Sequence, residues 1–214
     1  ELGGENQEEI DLKFVFIKGT PERNVIDISN IWTFQRGYFS EILNNSRFEP
    51  RKILLNPASK NYKLRFSITG HEQNGEFVSR QHYININGGA KEFQYDVWKA
   101  CSKNPIYPQG GTWILDRAGW CPGMATDVHS FPLDGLVAPG QTITIDYGLN
   151  GVPMTSANYL VNNQLVTYGA FNHQVDASIE AIVRPNNEQV EYARLNPACN
   201  TPTILVRNSG AQLI

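Results

Sequence analysis

The chain has 214 residues, which is enough length for one large β domain or two small domains, and its formal net charge is −3. Its 18 Lys and Arg residues are scattered rather than clustered, which argues against a surface that binds nucleic acid. No apolar run approaches the roughly 20 residues that a membrane helix needs, so we expect no membrane insertion.

The first half of the chain contains more strand patterns than helix patterns. Residues 1–10 are acidic and polar and are predicted to be a linker. One short helix is predicted over 40–45. Strands are predicted at 12–18, 23–28, 51–55 and 62–69. In the last of these, Leu64, Phe66 and Ile68 alternate with polar residues, as in a half-buried strand.

The second half continues the strand pattern. A long alternating strand over 76–87 ends in a turn at 87–89, and a hairpin over 159–168 is predicted to turn at Asn162 and Asn163. Further strands are predicted at 92–98, 141–147 and 176–183, the last closing the domain. Eight or so antiparallel strands predict an all-β protein with a two-sheet β-sandwich or jelly roll.

The composition changes after Arg184. Residues 185–200 are polar and are predicted to be a second linker. Residues 201–214 have the pattern of a strand, a turn and the start of another strand, which we interpret as the beginning of a following immunoglobulin-like β module. The main domain is therefore predicted over 11–184, within a longer multi-domain secreted protein.

Residues 110–124, here called the signature loop, read Gly-Gly-Thr-Trp-Ile-Leu-Asp-Arg-Ala-Gly-Trp-Cys-Pro-Gly-Met. Two Trp, an Asp-Arg pair and flanking glycines suit a rigid loop that presents groups at a surface. Cys101 and Cys121 bracket most of this loop, and a disulfide between them would add about 3 kcal/mol of stability. Their spacing alone allows a disulfide or two buried thiols equally well.

Glu76 is the strongest candidate for chemistry outside the signature loop. Side chains alternate along a strand, so Glu76, Arg80 and His82 are predicted to share one face, with Glu76 at the start of the strand beside loop 70–75. A carboxylate in that position suits a catalytic acid or base. The alternative is a solvated charge paired with Arg80. His82, in the strand interior, is predicted to be a hydrogen-bonded core residue.

The four histidines do not form pairs at the spacing of metal ligands. No Cys-x-x-Cys pair exists either, so a zinc or redox motif is unsupported. We therefore expect no metal site and no cofactor. The histidines are His71, His82, His129 and His173.

Four separated segments, in the correct order, resemble the second half of the peptide:N-glycosidase F family. They are Leu64-Arg-Phe-Ser-Ile-Thr-Gly70, the stretch 76–87, Cys101-Ser-Lys-Asn-Pro105 and the signature from Trp113 to Met124. The resemblance covers about 11–184 and implies the second of two eight-stranded jelly rolls packed side by side.

The resemblance also implies an activity. Enzymes of this family hydrolyse the amide bond between asparagine and the first N-acetylglucosamine of an N-glycan, so that Asn becomes Asp and a glycosylamine leaves. The implied partners are an N-linked glycoprotein and the neighbouring domains of the same protein. The resemblance favours the Cys101–Cys121 disulfide, and hence a secreted or cell-surface location in a bacterium.

The resemblance further implies the site residues. Glu76 and Arg117 take the catalytic positions, and the expected substrate-binding residues are Trp120, Phe77, His71 and Asp116. The essential Asp of the family belongs to the first jelly roll, outside this chain. Two features depart from the family: Phe77 replaces a Trp, and Asn74 and Val78 replace the cysteines of a second disulfide beside the catalytic Glu.

Two alternatives remain open. The chain could be a non-catalytic jelly roll of a large secreted or surface protein, with Asp116 and Arg117 as a structural ion pair and the disulfide as a staple. It could also be half of a copper hydroxylase similar to peptidylglycine alpha-hydroxylating monooxygenase, which shares the fold. The copper-binding His and Met pattern of that enzyme is not found in the sequence.

Overall fold

The computed structural model describes residues 13–104, 106–184 and 201–214. This part of the chain is almost entirely β-structure, with two short helices, α1 (Phe39–Leu43) and α2 (Gln73–Glu76), and a 3-10 turn at Cys101–Lys103. The strands are β1 (Arg23–Tyr38), β2 (Arg51–Leu54), β3 (Asn61–His71), β4 (Arg80–Ile86), β5 (Lys91–Val97), β6 (Val128–Pro132), β7 (Thr142–Leu149), β8 (Asn158–Phe171), β9 (Ala177–Arg184) and β10 (Thr203–Asn208).

The first eight strands form two four-stranded antiparallel sheets, in the orders β1-β8-β3-β6 and β2-β7-β4-β5. Strands that are far apart in sequence are neighbours in each sheet, as the paired Greek keys of a jelly roll require. The prediction of an all-β, eight-stranded jelly-roll sandwich is confirmed. No helix in the described ranges is long and apolar enough to cross a membrane.

The interior lies between the two sheets. The predicted alternation in β3 is present, with Leu64, Phe66 and Ile68 buried and Arg65 exposed. The indole of Trp32 lies at the centre and contacts the rings of Phe48, Phe66 and Tyr147 at centroid distances of 6.1–6.5 Å. Apolar burial on this scale is the main force that holds the two sheets together.

The prediction of a first strand over 12–18 is wrong for its described residues. Residues 13–18 have no regular structure, and Phe16 and Ile17 are 93% and 90% exposed. Apolar residues do not make a strand by themselves, because the backbone also needs a neighbouring strand for its hydrogen bonds. The first strand is β1, which is much longer than the predicted 23–28.

The predicted hairpin over 159–168 is also wrong. Residues Asn158–Phe171 form one continuous strand, β8, with Asn162 and Asn163 in its middle. This strand pairs with β1 on one side and β3 on the other over most of its length. Hydrogen bonding on both edges therefore overrides the local turn preference of the two asparagines.

The strand predicted over 76–87 begins later than expected, at Arg80. Glu76 is the last residue of α2, so it does not share a strand face with Arg80 and His82. The chain folds back here because Gly70 and Gly75 are packed together. A Cβ at Gly70 would collide with the carbonyl oxygen of Gly75.

The strand predicted over 176–183 is present as β9, but it pairs with β10 in a separate two-stranded sheet and belongs to neither sheet of the sandwich. Residues 1–10 and 185–200, predicted to be linkers, lie outside the described residues. The division into a main domain and a following module stays a prediction.

Candidate functional site

The signature loop and α2 meet at the C-terminal end of β3. The Ala118 N–H donates to the Glu76 carbonyl (2.9 Å), and the Gly70 N–H donates to the Ala118 carbonyl (2.9 Å). On the other side, Arg117 and Lys99 exchange two backbone hydrogen bonds of 3.1 and 2.7 Å. The loop is therefore fixed by its backbone at the position where it presents Arg117.

The disulfide predicted between Cys101 and Cys121 is confirmed, with the two Cα atoms 5.5 Å apart. Both residues are buried. The Asp116 carboxylate accepts a hydrogen bond from the Cys101 N–H at 3.1 Å, which fixes the start of the 3-10 turn. Asp116 therefore faces the disulfide region, and the predicted alternative of an Asp116–Arg117 ion pair is wrong.

Gly119 allows the loop to lie directly against β3. Its φ is +76°, in the left-handed region that favours glycine, and a Cβ there would collide with the Ile68 carbonyl oxygen. The next residue, Trp120, donates its Nε1–H to the Gly70 carbonyl at 3.0 Å. The orientation of the Trp120 ring thus depends on the close approach at Gly119.

Arg117 forms an ion pair with Glu76 through Nη1 and Oε1. Its Nη2 donates to the carbonyl and the hydroxyl of Thr112, at 2.7 and 3.0 Å. Its guanidinium carbon lies 4.9 Å from the centre of the Phe77 ring and 5.0 Å from that of Trp120. Burial lowers the pKa of Arg117, although a guanidinium remains a cation at neutral pH.

Glu76 is more accessible than its partner. The Glu76 side chain keeps 15% of its surface exposed, compared with 7% for Arg117. The more buried Arg117 therefore holds the Glu76 carboxylate in a fixed position through their ion pair. The predicted alternative, in which Glu76 pairs with Arg80, is wrong: Arg80 donates to the Met154 sulfur instead.

His71 and Trp120 extend the site away from the ion pair. Their rings stack with centroids 5.7 Å apart and an interplanar angle of 23°, and His71 Nε2 lies 2.8 Å from Thr69 Oγ1. Both residues line a pocket of about 490 Å³. Among the predicted site residues, Glu76, Phe77 and Trp120 cluster around Arg117.

Hydrogen bonds hold α2 at the position where Asn74 and Val78 replace the cysteines of the family's second disulfide. The Asn74 side chain donates to the Thr155 carbonyl and its backbone N–H donates to the Ser156 carbonyl, both at 2.9 Å. Gly75 packs so closely on the backbone of Asn158 that a Cβ there would lie 2.9 Å from the Asn158 oxygen. The turn that carries Glu76 is therefore anchored to residues 155–158.

His82 is fully buried between the sheets, as predicted for a core residue. Its Nδ1 lies 2.8 Å from the Tyr147 hydroxyl, and desolvation lowers its pKa to about 3. No group of three or more His, Cys, Asp or Glu side chains with the geometry of a metal site occurs within residues 13–104, 106–184 and 201–214.

The family model described as "Peptide-N-glycosidase F, C terminal" matches residues 39–170, which is more than half of the chain. The chain belongs to this family. The matched region contains both sheets of the sandwich from α1 onwards, α2 and the whole signature loop.

Individual relatives agree with the family assignment. The peptide-N(4)-(N-acetyl-beta-D-glucosaminyl)asparagine amidase F of Elizabethkingia miricola is 42% identical over 74 residues, which cover 34% of this chain and 20% of that protein. A solved structure of an amidase of this name has a TM-score of 0.61 at 26% identity, covering 72% of this chain and 55% of the other.

The structure of PNGase F, a glycosylasparaginase from Flavobacterium meningosepticum, gives a TM-score of 0.59 at 25% identity, with the same coverage of 72% and 55%. The chain therefore spans about half the length of these solved relatives. It is a C-terminal domain of the peptide-N-glycosidase F type.

The sequence analysis of this peptide-N-glycosidase F-type domain did not select every residue around Trp120. Four further residues line the same pocket: Phe34, Ser67, Leu160 and Asn162. The alternation in β3 identified Ser67 as an outward-facing residue. Asn162 was assigned to a turn, and the pairing of β8 with β3 that brings it next to Ser67 has no local signal.

Proposed function

We propose that this chain is the second jelly roll of an enzyme that removes N-glycans from glycoproteins by hydrolysis. The oxygen of a water molecule adds to the side-chain carbonyl carbon of the glycosylated asparagine, and the bond from that carbon to nitrogen breaks. One proton of the water goes to the departing nitrogen. The products are an aspartate and the glycosylamine of the sugar, and the reaction requires no cofactor.

The observation that carries the proposal is the Glu76–Arg117 pair, set between the rings of Phe77 and Trp120 in a member of this family. Arg117 is 5% exposed and already donates to Glu76 and Thr112. We assign it a positioning role, and we assign Glu76, which is the more accessible residue, to contact the water or the first sugar.

A second carboxylate completes the proposed site. One acid and one base, supplied by two domains, can divide the tasks of activating water and protonating the leaving nitrogen. The partner is a preceding jelly roll of the same protein, and the substrate is an N-linked glycoprotein. The Cys101–Cys121 disulfide is consistent with an extracellular location, and we propose secretion or display at a bacterial cell surface.

One observation favours a structural alternative. The Arg117 side chain fixes Thr112 of the signature loop, and the Glu76 carboxylate is the counter-charge of Arg117, so the pair also holds the loop in place. A surface jelly roll without catalytic activity could retain the pair for that reason alone.

The deciding experiment is mass spectrometry of a defined N-glycopeptide after incubation with the full-length protein, with this chain alone and with the full-length Glu76→Gln variant. We expect the full-length protein to convert Asn to Asp, this chain alone to be inactive, and Glu76→Gln to lose about a hundredfold or more in rate. Glu72→Gln, an exposed carboxylate just before α2, is the matched control and should keep its activity.

The structural alternative makes the opposite prediction. If a folded full-length protein converts no Asn, or if Glu76→Gln is as active as Glu72→Gln, Glu76 is not catalytic and the proposed function is wrong.

A further inference from the structure

The two-stranded sheet of β9 and β10 carries an apolar face that remains exposed to solvent. Residues that lie directly opposite each other in an antiparallel pair share one face of the sheet. Ile204 is paired with Ile182, and Val206 is paired with Ile179. These four side chains therefore form one patch, here called the β9-β10 face, and each of them is 48–64% exposed.

The opposite face of the same sheet is turned toward the sandwich. Side chains alternate along a strand, so Arg207 projects to the other side from Val206, and it is paired there with Ser178. Arg207 forms ion pairs with Glu22, which lies just before β1, and with Glu180. The β9-β10 face, which contains no charged side chain, therefore points away from the sandwich.

Hydrogen bonds fix this sheet at the end of the sandwich. Beyond β10, the Ser209 and Ala211 N–H groups donate to the carbonyls of Asp176 and His173, both at 3.0 Å. A Cβ at Gly210 would lie only 2.6 Å from the Asp176 nitrogen, so the chain can approach this closely only through glycine. The sheet is therefore held in one orientation, and its apolar face is preformed for a partner.

Two strands with an uncovered apolar face do not make a stable unit in water. Such a sheet needs a third strand or another element packed on its apolar face. Among the residues that the structure describes, β9 and β10 pair only with each other. Residues 185–202 separate Arg184 from Thr203, which is far more than the roughly 2–5 residues of a hairpin loop. The pair is therefore not a self-contained hairpin but has the properties of one part of a larger β unit.

The chemistry of the β9-β10 face narrows the choice of occupant. A stable dimer buries about 800 Å² on each partner, and four aliphatic side chains that are already about half buried supply only part of that area. A second copy of this chain is therefore disfavoured. A partner that belongs to the same polypeptide needs less contact area, because the covalent connection gives it a high effective concentration. An anionic partner would find no cation on this face.

We propose that the β9-β10 face is one inner face of a second β-sandwich, and that its occupant is a further apolar β-sheet of the same polypeptide. Two apolar sheet faces packed together also form the interior of the first sandwich. The second module begins at Ala177 rather than at residue 201, because β9 pairs with β10 and with neither sheet of the first sandwich. This inference does not depend on the proposed function.

The second module lies at the end of the first sandwich opposite to the candidate catalytic pair. Asn158, at the start of β8, contacts Gly75 of α2, whereas Phe171, at the other end, is paired with Arg23. The 14 residues of β8 span roughly 40 Å. The second module therefore leaves the approach to Glu76 open, and its role is to connect the first sandwich rigidly to the rest of the protein.

Thiol labelling of the full-length protein tests the inference, with each site read by peptide mass spectrometry. In a Cys199→Ser background, Val206→Cys places a thiol on the β9-β10 face. Leu205→Cys, one residue away on the opposite face, is the matched control, since the two native side chains are 48% and 53% exposed in this chain. We expect similar labelling rates in this chain alone. In the full-length protein, Val206→Cys should be labelled about tenfold or more slowly than Leu205→Cys.

Hydrogen exchange of the unsubstituted protein gives a second measurement that does not depend on how well the variants fold. The amides of 177–183 and 203–208 should exchange more slowly in the full-length protein than in this chain alone, because the covering sheet stabilises both strands. Equal labelling of the two variants in the full-length protein, or equal exchange in both proteins, would overturn the inference.

A second copy as the occupant would give a different result. In that case Val206→Cys would be protected in this chain alone, and light scattering would show a mass that doubles with concentration, which would also overturn the inference. No step of these measurements involves a glycan. A full-length protein that protects Val206→Cys but converts no Asn to Asp would support the second sandwich and refute only the proposed function.

Discussion

The sandwich interior and the signature loop are both ordered, but different forces hold them. Rings such as those of Trp32 and Phe66 fill the interior, whereas Ile114 and Leu115 of the loop are 51% and 49% exposed. The loop is held by the disulfide, by the Arg117 ion pair and by hydrogen bonds to β3. A substitution in the interior should therefore act through lost packing, whereas a substitution in the loop should act through the disulfide, the ion pair or these hydrogen bonds.

The largest effect is expected in the interior. Phe66→Ala should lower the free energy of unfolding by about 3–5 kcal/mol, because it leaves a cavity beside Trp32. Urea denaturation measures the loss. Arg65→Ala, at the neighbouring exposed position of β3, is the control and should change stability by about 0.5 kcal/mol or less. Similar losses in both variants would contradict the assignment of the core.

The disulfide supplies the corresponding test in the loop. Cys101→Ser should lower the free energy of unfolding by about 3 kcal/mol under non-reducing conditions, because the unfolded chain gains entropy. With a reductant present, the protein and the variant should melt at similar temperatures. Cys199→Ser leaves the disulfide intact and serves as the control. An unchanged melting temperature for Cys101→Ser in the oxidised protein would show that the disulfide does not stabilise the fold.

Acid should destabilise the interior through His82. Its pKa is about 3 in the folded state, mainly because of desolvation, compared with 6.5 for an exposed histidine. Between these pH values the unfolded chain binds a proton that the folded chain does not. The free energy of unfolding is therefore at its full value above pH 6.5 with respect to His82. It decreases as the pH falls, by about 2 kcal/mol at pH 5.

Melting curves of the protein and of His82→Gln at pH 7 and pH 5 check this expectation. The variant should be less stable at pH 7, since it loses the contact with Tyr147, but its stability should depend less on pH. His129 contributes in the same direction, because burial also lowers its pKa. An equal pH dependence in the protein and in His82→Gln would rule out His82 as the titrating group.

Much of the fold could be predicted because the alternation of apolar side chains is local. Leu64, Phe66 and Ile68 identify β3 without any knowledge of its neighbours. The errors arose where pairing between distant segments decides the structure. Residues 13–18 have a strand pattern but pair with no described strand, whereas Asn163 has a turn pattern but is paired on both edges of β8.

The candidate site shows the same division. The predictions selected Glu76 and Arg117 by their resemblance to a family motif, and the structure brings them together. They placed Glu76 on a strand because the sequence alternates there. The packing of Gly70 on Gly75 instead turns the chain through α2. The pocket residues Ser67 and Asn162 could not be predicted, because they adjoin only through the register of β3 and β8.

The smallest effect is expected at the anchor of α2. Asn74→Ala should cost about 1 kcal/mol of stability, because it removes one side-chain hydrogen bond, to the Thr155 carbonyl. Its effect on the rate of glycopeptide hydrolysis should be larger than this loss of stability suggests, since α2 carries Glu76. Gln73→Ala, an exposed neighbour in the same helix, is the matched control.

The loss of hydrolysis rate, compared with the loss of stability, distinguishes the role of the disulfide from that of the Asn74 hydrogen bonds. The disulfide lies on the Arg117 side of the ion pair and stabilises the whole fold, whereas the Asn74 hydrogen bonds lie on the Glu76 side and fix one turn. If Asn74→Ala lowers the hydrolysis rate no more than Gln73→Ala does, backbone packing at Gly75 alone is sufficient to orient Glu76.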